Sequence, residues 1–193
     1  NIEAKSSDII RTLDNPLFNE PGLKILKGNL SPTGSIVRPT GVPAEMKQFS
    51  GKAKVFSSDM ESWDAIERGE IKPGDVIVIR YEGCVGAPGM TELMSSTDAL
   101  LAKGLDKSVG LISDARFSGF NYGAIVGHVT PEAAKGGLIA LIEEGDIITV
   151  DTVKGTINLE VPEEIIAERR KNWVCPEPKV KTGLLAIYAE NCR

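Results

Sequence analysis

Val76-Ile77-Val78-Ile79-Arg80-Tyr81-Glu82-Gly83-Cys84-Val85-Gly86-Ala87-Pro88-Gly89, residues 76–89, decides the fold class. The first four residues are continuously apolar, as a strand covered on both faces must be. The second half is a glycine-rich loop. Beyond it Leu93, Met94, Thr97, Leu100 and Leu101 recur at helical spacing up to Gly104, and Val109 to Ile112 is a second buried-strand run. Strand, loop, helix, strand is the order of an α/β fold.

Working outward, Lys72-Pro73-Gly74-Asp75 is turn chemistry ahead of the first strand. Ser58-Asp59-Met60-Glu61 is a capping-box pattern that predicts a helix over 59–68, stopped by Gly69. Leu23 to Leu30, Ser35 to Arg38 and Ala53 to Phe56 read as short strands between glycine and proline turns. Downstream, the polar loop Asp114 to Gly123 leads into the apolar run Ala124 to Val126. Thr130-Pro131-Glu132 reads as N-cap, first position and acidic first turn of a short helix. Leu138 to Ile142 and Ile147 to Val150 flank Glu143-Glu144-Gly145-Asp146 in the manner of a hairpin. Pro162 to Trp173 is a charged amphipathic helix, and a last helix begins near Thr182. Gly74-Asp75-Val76-Ile77 and Gly145-Asp146-Ile147-Ile148 echo each other as similar turns. No long linker interrupts the chain, so residues 1–193 are expected to form a single domain.

The 193 residues are 41% hydrophobic and 25% charged, enough to bury a core and to exclude disorder. Only 5% are aromatic, so Ile, Leu, Val and Ala must build that core. With 22 basic and 27 acidic residues and no basic cluster, nucleic acid is not an expected partner. The uncharged stretch from Phe117 to Pro131 is too short and too polar for a membrane span. Three cysteines (Cys84, Cys175, Cys192) without CxxC spacing argue against a disulfide framework and for a reducing, cytoplasmic compartment. One histidine and three cysteines cannot alone complete an ordinary zinc or iron–sulfur ligand set. The chain starts at Asn1 and ends while the pattern still reads as helix, so a fragment of a longer protein is expected.

Two strand-to-loop junctions, Glu82 to Glu92 and Asp114 to Gly123, are richest in polar and glycine residues, and ligands gather at the carboxyl ends of such strands. Neither P-loop nor dinucleotide-binding spacing is present. A helix N-terminus beside glycines suits a carboxylate or phosphate. Glu92, expected just inside the helix, either complements its dipole or ligates a hard metal such as Mg²⁺. Ser118 either bonds neighbouring backbone or is the nucleophile of a triad with His128 and an aspartate, although Arg116 and Phe120 break the G-x-S-x-G elbow. Arg116 could clamp a substrate carboxylate or pin its loop to Asp114. His128 in Val126-Gly127-His128-Val129 reads first as a satisfied buried histidine, and Cys84 as a small apolar filler.

Gly28-Asn29-Leu30-Ser31-Pro32-Thr33-Gly34, Ile71-Lys72-Pro73-Gly74-Asp75 through Arg80-Tyr81-Glu82-Gly83, Pro88-Gly89-Met90-Thr91-Glu92-Leu93, Arg116-Phe117-Ser118-Gly119, and Gly127-His128-Val129-Thr130-Pro131-Glu132-Ala133 form five ordered motifs. In order and spacing they resemble the C-terminal domain of the dihydroxy-acid dehydratase and sugar-acid dehydratase family, over nearly the whole chain. The resemblance implies a mixed β-barrel-like sheet flanked by helices, of the swivelling-domain type, docked on an N-terminal domain that lies outside this sequence.

It further implies Glu92 as one ligand of Mg²⁺, Ser118 as the catalytic base, and Arg116 and Gly119 at the substrate. The cysteines of an iron–sulfur cluster would come from the N-terminal domain. The implied activity removes water from a 2,3-dihydroxy carboxylic acid to give a 2-oxo acid, in branched-chain amino acid biosynthesis, by a homodimer or larger assembly, with the isolated fragment inactive. The chain departs from the commoner family pattern at Ala115, at Phe120 and at Cys84-Val85, positions that border the implied substrate. Branched-chain dihydroxy acids and aldonic (sugar) acids therefore both stay open. Two readings from other classes stand beside this one: a swivelling phosphocarrier domain using His128, and an interaction domain without chemistry of its own.

Overall fold

The computed structural model describes residues 9–119 and 121–192. In chain order its elements are β1 (Lys24–Leu26), β2 (Gly34–Val37), β3 (Gln48–Phe56), α1 (Asp59–Glu67), β4 (Asp75–Ile79), β5 (Glu92–Leu93), α2 (Ser95–Ala102), β6 (Gly110–Ser113), β7 (Arg116–Phe117), β8 (Ala124–Thr130), β9 (Ile147–Asp151), β10 (Thr156–Leu159), α3 (Glu163–Asn172) and α4 (Leu184–Asn191). Eight strands share one sheet in the order β1-β2-β8-β6-β4-β3-β9-β10, while β5 and β7 form a separate pair. The central neighbours β8, β6, β4 and β3 run parallel, and the outer pairs are antiparallel. The two ends of the sheet meet. Ile157 N donates to Lys27 O at 3.1 Å and Lys27 N to Gly155 O at 2.9 Å, which nearly closes a barrel.

The continuous apolar run of β4 is explained by its two faces. Val76 and Val78 join Leu26, Val37, Ile112, Val126, Ile148 and Leu159 in the barrel interior. Ile77 and Ile79 point the other way, against Ala65 and Ile66 of α1 and Leu100 of α2. Each such side chain, fully buried, contributes about 1.5–3 kcal/mol relative to exposure. The helix α1 starts where the capping box places it: Ser58 Oγ accepts from Glu61 N at 3.2 Å, and Glu61 reaches back to Ser57 N at 2.8 Å. The two echoing turns are chemically alike. Asp75 accepts from Lys72 N and Asp146 from Glu143 N, each at 2.8 Å, and Gly74 and Gly145 both take left-handed backbone.

Three expected elements differ. The helix after the glycine loop begins at Ser95 rather than Leu93, because Asp59 of α1 receives Ser95 N (3.0 Å) and Ser96 N (3.1 Å) and so caps it from outside. Glu92 therefore sits on β5, ahead of the helix. Thr130 ends β8 and spends its hydroxyl on Gly34 O at 2.6 Å, so the expected helix shrinks to one 3-10 turn over Ala133–Lys135. Leu138–Leu141 is another 3-10 turn and not a hairpin arm. Arg80 takes the carbonyls of Ala140 and Ile142, at 2.8 and 3.0 Å, and β9 pairs with β3 and β10. No helix among the described residues is long and apolar enough to cross a membrane.

Candidate active site

The parallel strands β4 and β6 end side by side, and the loops beyond them interlock. β5 and β7 then pair in parallel with Glu92 opposite Arg116 and Leu93 opposite Phe117. Residues 24 apart in sequence thus become direct neighbours, with Ser118 next along the chain. Glu92 and Arg116 are exposed, and Ser118 is half-buried. Arg116 does not pin its loop to Asp114: its Nε donates to Met90 O at 2.8 Å, holding the segment that carries Glu92.

Asp114 does different work. It is 1% exposed and accepts from Tyr81 N (3.1 Å), Glu82 N (3.1 Å) and Ala133 N (2.9 Å). Burial pushes its carboxyl above the usual range, against the pull of those three amides. Glu132 clamps the same glycine loop further on, receiving Val85 N at 3.1 Å, and burial raises its carboxyl as well. Glycine at 83 suits this clamp, since a Cβ would run into the Glu132 side chain as it is held here. Glu82, nearly buried, pairs with Lys179 at 2.8 Å.

Among the described residues, three that are not glycine take left-handed backbone, and all three lie in these loops and the neighbouring strand: Tyr81 (φ 63°), Met90 (φ 45°) and His128 (φ 55°). Such conformations cost of order 1–3 kcal/mol each and gather at functional sites. Ser118 and Gly119 line a cavity of about 300 Å³ with Arg38, Phe117, Asn121 and His128. Glu92 lies on the neighbouring strand and is not part of that lining. Arg38 donates to Asn121 O at 2.5 Å and stacks 5.5 Å from the Tyr122 ring centroid, with its buried Nε unpaired among the described residues. His128 is half-buried and borders this cavity, rather than being a satisfied core residue. Burial first, then Arg116, lowers its pKa from the ordinary histidine value. Nothing in the sequence singled out Arg38, whereas the polarity of 114–123 did mark the loop that carries Ser118.

Cys84 is no apolar filler. It is joined to Cys192 in a disulfide that spans 108 residues, and Cys175 is free and exposed. Spacing along the chain gives no hint of this pair, because only the fold brings the end of α4 to the glycine loop. Of the positions that depart from the commoner pattern, Ala115 is fully buried, and Phe120 lies outside the described residues.

Residues 8–193 match the family described as dihydroxy-acid/6-phosphogluconate dehydratase C-terminal. The chain belongs to that dehydratase family. It is 54% identical over 182 residues to a dihydroxy-acid dehydratase of Moorella thermoacetica, covering 94% of this chain and 33% of the relative. It is 51% identical over 183 residues to one of Methanococcus aeolicus (95% and 33%), and 48% identical over 189 residues to one of Geobacter metallireducens (98% and 34%). The chain spans about a third of the length of these dehydratases.

Against the donor chemistry a dehydratase of this family calls for, the chain fits in one place and fails in another. The Glu92 carboxylate makes no hydrogen bond or ion pair with a described residue. One hard carboxylate, completed by water and substrate oxygens, is what Mg²⁺ accepts, so Glu92 suits a single position in such a set. No group of three or more His, Cys, Asp or Glu among the described residues converges as a metal site. For an iron–sulfur cluster the cysteines do not fit, with two tied to each other and the third exposed and alone.

Proposed function

We propose that this chain is the C-terminal part of a hydro-lyase that converts a branched-chain 2,3-dihydroxy carboxylic acid to its 2-oxo acid. The observation that carries the reading is the β5–β7 pairing, which sets Glu92 beside Arg116 with Ser118 two residues on. The dihydroxy-acid dehydratase name of relatives about half identical in sequence supports it. Ser118 is the base that takes the C2 proton, and Arg116 and Gly119 border the substrate. Glu92 would hold Mg²⁺, and the Lewis acidity supplied there would make that proton easier to remove. Ser118 works as an alkoxide, which cations nearby, Arg116 among them, stabilise. Glycine at 119 leaves the backbone next to the base open to substrate.

The iron–sulfur cluster belongs to an N-terminal domain, so residues 1–193 alone form a single C-terminal domain without turnover, docked on that partner in a cytoplasmic homodimer or larger assembly. One cysteine pair is far from the several cross-links of a secreted scaffold. The aldonic-acid alternative is the weaker one, because Leu23, Ile36, Phe117 and Ile125 give the Ser118 cavity apolar walls that suit an alkyl tail. A phosphocarrier role for His128 has no support in the relatives' names.

The test is a product assay on the full-length protein, offered a branched-chain 2,3-dihydroxy acid and an aldonic acid in parallel. The expected result is 2-oxo acid formation with kcat/KM about 10-fold or more in favour of the branched substrate, the scale on which a few apolar contacts discriminate. A preference for the aldonic acid would reverse the substrate assignment. No 2-oxo acid from either would overturn the dehydratase reading.

A further inference from the structure

β8 pairs with β2 through Ile36 opposite Gly127 and Gly34 opposite Thr130. One residue of β2, Ser35, therefore faces two of β8, His128 and Val129. This is a β-bulge, and His128 at φ 55° is its left-handed residue. Its effect can be read from the core. In unbroken alternation His128 would share the face of Val126, which lies in the barrel interior. With the bulge, Val129 takes the interior place beside Val126, and His128 turns out to border the Ser118 cavity. The turn is fixed by the backbone, since His128 N donates to Ala115 O at 2.8 Å, one residue before Arg116. Gly127 allows the approach: a Cβ there would lie 3.1 Å from both Ala115 O and the Phe117 ring.

The imidazole so presented has no hydrogen-bond partner among the described residues. Among the described residues Arg38 is the charged residue of the cavity wall and no carboxylate lines the space, while Arg116 acts from β7. Burial first, and then Arg116, favour a neutral ring, which has one nitrogen free to accept a proton. The backbone is strained, the strand is interrupted, and what results is a proton acceptor bordering the same cavity as Ser118.

We propose that His128 is the proton-relay residue of the Ser118 site, receiving directly or through one water the proton that Ser118 takes from C2. This rests on the dehydratase reading above. In the step, the Ser118 alkoxide removes the C2 proton, the C2–H electron pair becomes the C2=C3 bond, and the C3–O bond breaks to release hydroxide. Ser118 then passes its proton to the imidazole and returns to the alkoxide. The imidazolium yields the proton to solvent, where it neutralises the hydroxide, so each turnover releases one water.

The experiment uses full-length enzyme carrying His128→Asn, because asparagine tolerates left-handed backbone and cannot relay the proton. The expected result is a kcat about 10-fold to 10²-fold lower with KM little changed, within reach of what a positioned proton-transfer group supplies. The C2-deuterium isotope effect on kcat should shrink, the solvent isotope effect should grow, and added imidazole should restore part of the rate. Near-normal turnover in His128→Asn, or a loss with unchanged isotope effects and no rescue, overturns the relay. On unaltered enzyme, kcat followed between about pH 5 and 8 should fall on the acid side with one ionisation below the usual histidine value. A profile flat on that side overturns the proposal even where the variant fails to fold. Ser118→Ala separates the two claims: if it is inactive while His128→Asn is normal, only the relay fails, and if Ser118→Ala is active, the base assignment fails with it.

Discussion

Asp114 holds three backbone amides from two loops, and an alanine there would leave all three donors buried and unpaired. Each orphaned group costs about 1–3 kcal/mol, so Asp114→Ala should lower the unfolding free energy by about 3 kcal/mol or more in urea titration. Asp114→Asn, which keeps one acceptor oxygen, should lose less. Equal losses would mean that the carboxylate is not the staple. Glu92 is the contrasting residue, exposed and without a described partner. Glu92→Gln should leave the melting temperature within a degree or two and, in the full-length enzyme, raise the Mg²⁺ concentration needed for half-maximal rate about 10-fold or more, together with KM. The sequence marked the polar loop that Asp114 opens, but it expected Glu92 just inside the helix, whereas Glu92 lies on β5 ahead of that helix. It could not assign Asp114 its role, because the role is defined by amides 32 and 33 positions upstream and 19 downstream.

At the level of elements, what could be read depended on how local the cause was. The capping box at Ser58, the glycine stops and the apolar runs of β4 and β6 are local, and they stand where the sequence predicts them. The start of α2 is not local, since a carboxylate from α1 sets it. Nor is β5–β7 local: two-residue strands carry no periodicity, and only the pairing of Glu92 with Arg116 reveals them. The glycine loop is held in the same non-local way by Glu132, and a double-mutant cycle can measure the dependence. Gly83→Ala forces a Cβ into that carboxylate and should destabilise by about 1–3 kcal/mol, the usual cost of overpacking. In a Glu132→Ala background the same change should cost at least about 1 kcal/mol less, read from urea midpoints. Additive effects would contradict the clash.

On the scale of the whole molecule, the barrel interior is complete, while α4 buries only Ala189 and leaves Leu184, Leu185, Ile187 and Tyr188 exposed. The relatives are about three times as long, and in the proposed reading the loops at the ends of β4 and β6 are part of a larger active site to which this chain supplies the base. Ser118→Ala in the full-length enzyme tests this most directly, since it removes the proposed base and leaves Glu92 and Arg116 in place. The account predicts a kcat about 10² to 10⁴-fold lower, the usual worth of a positioned base, with the cluster's visible absorbance and substrate binding little changed. An enzyme that kept near-normal turnover, or that lost its cluster instead, would contradict it.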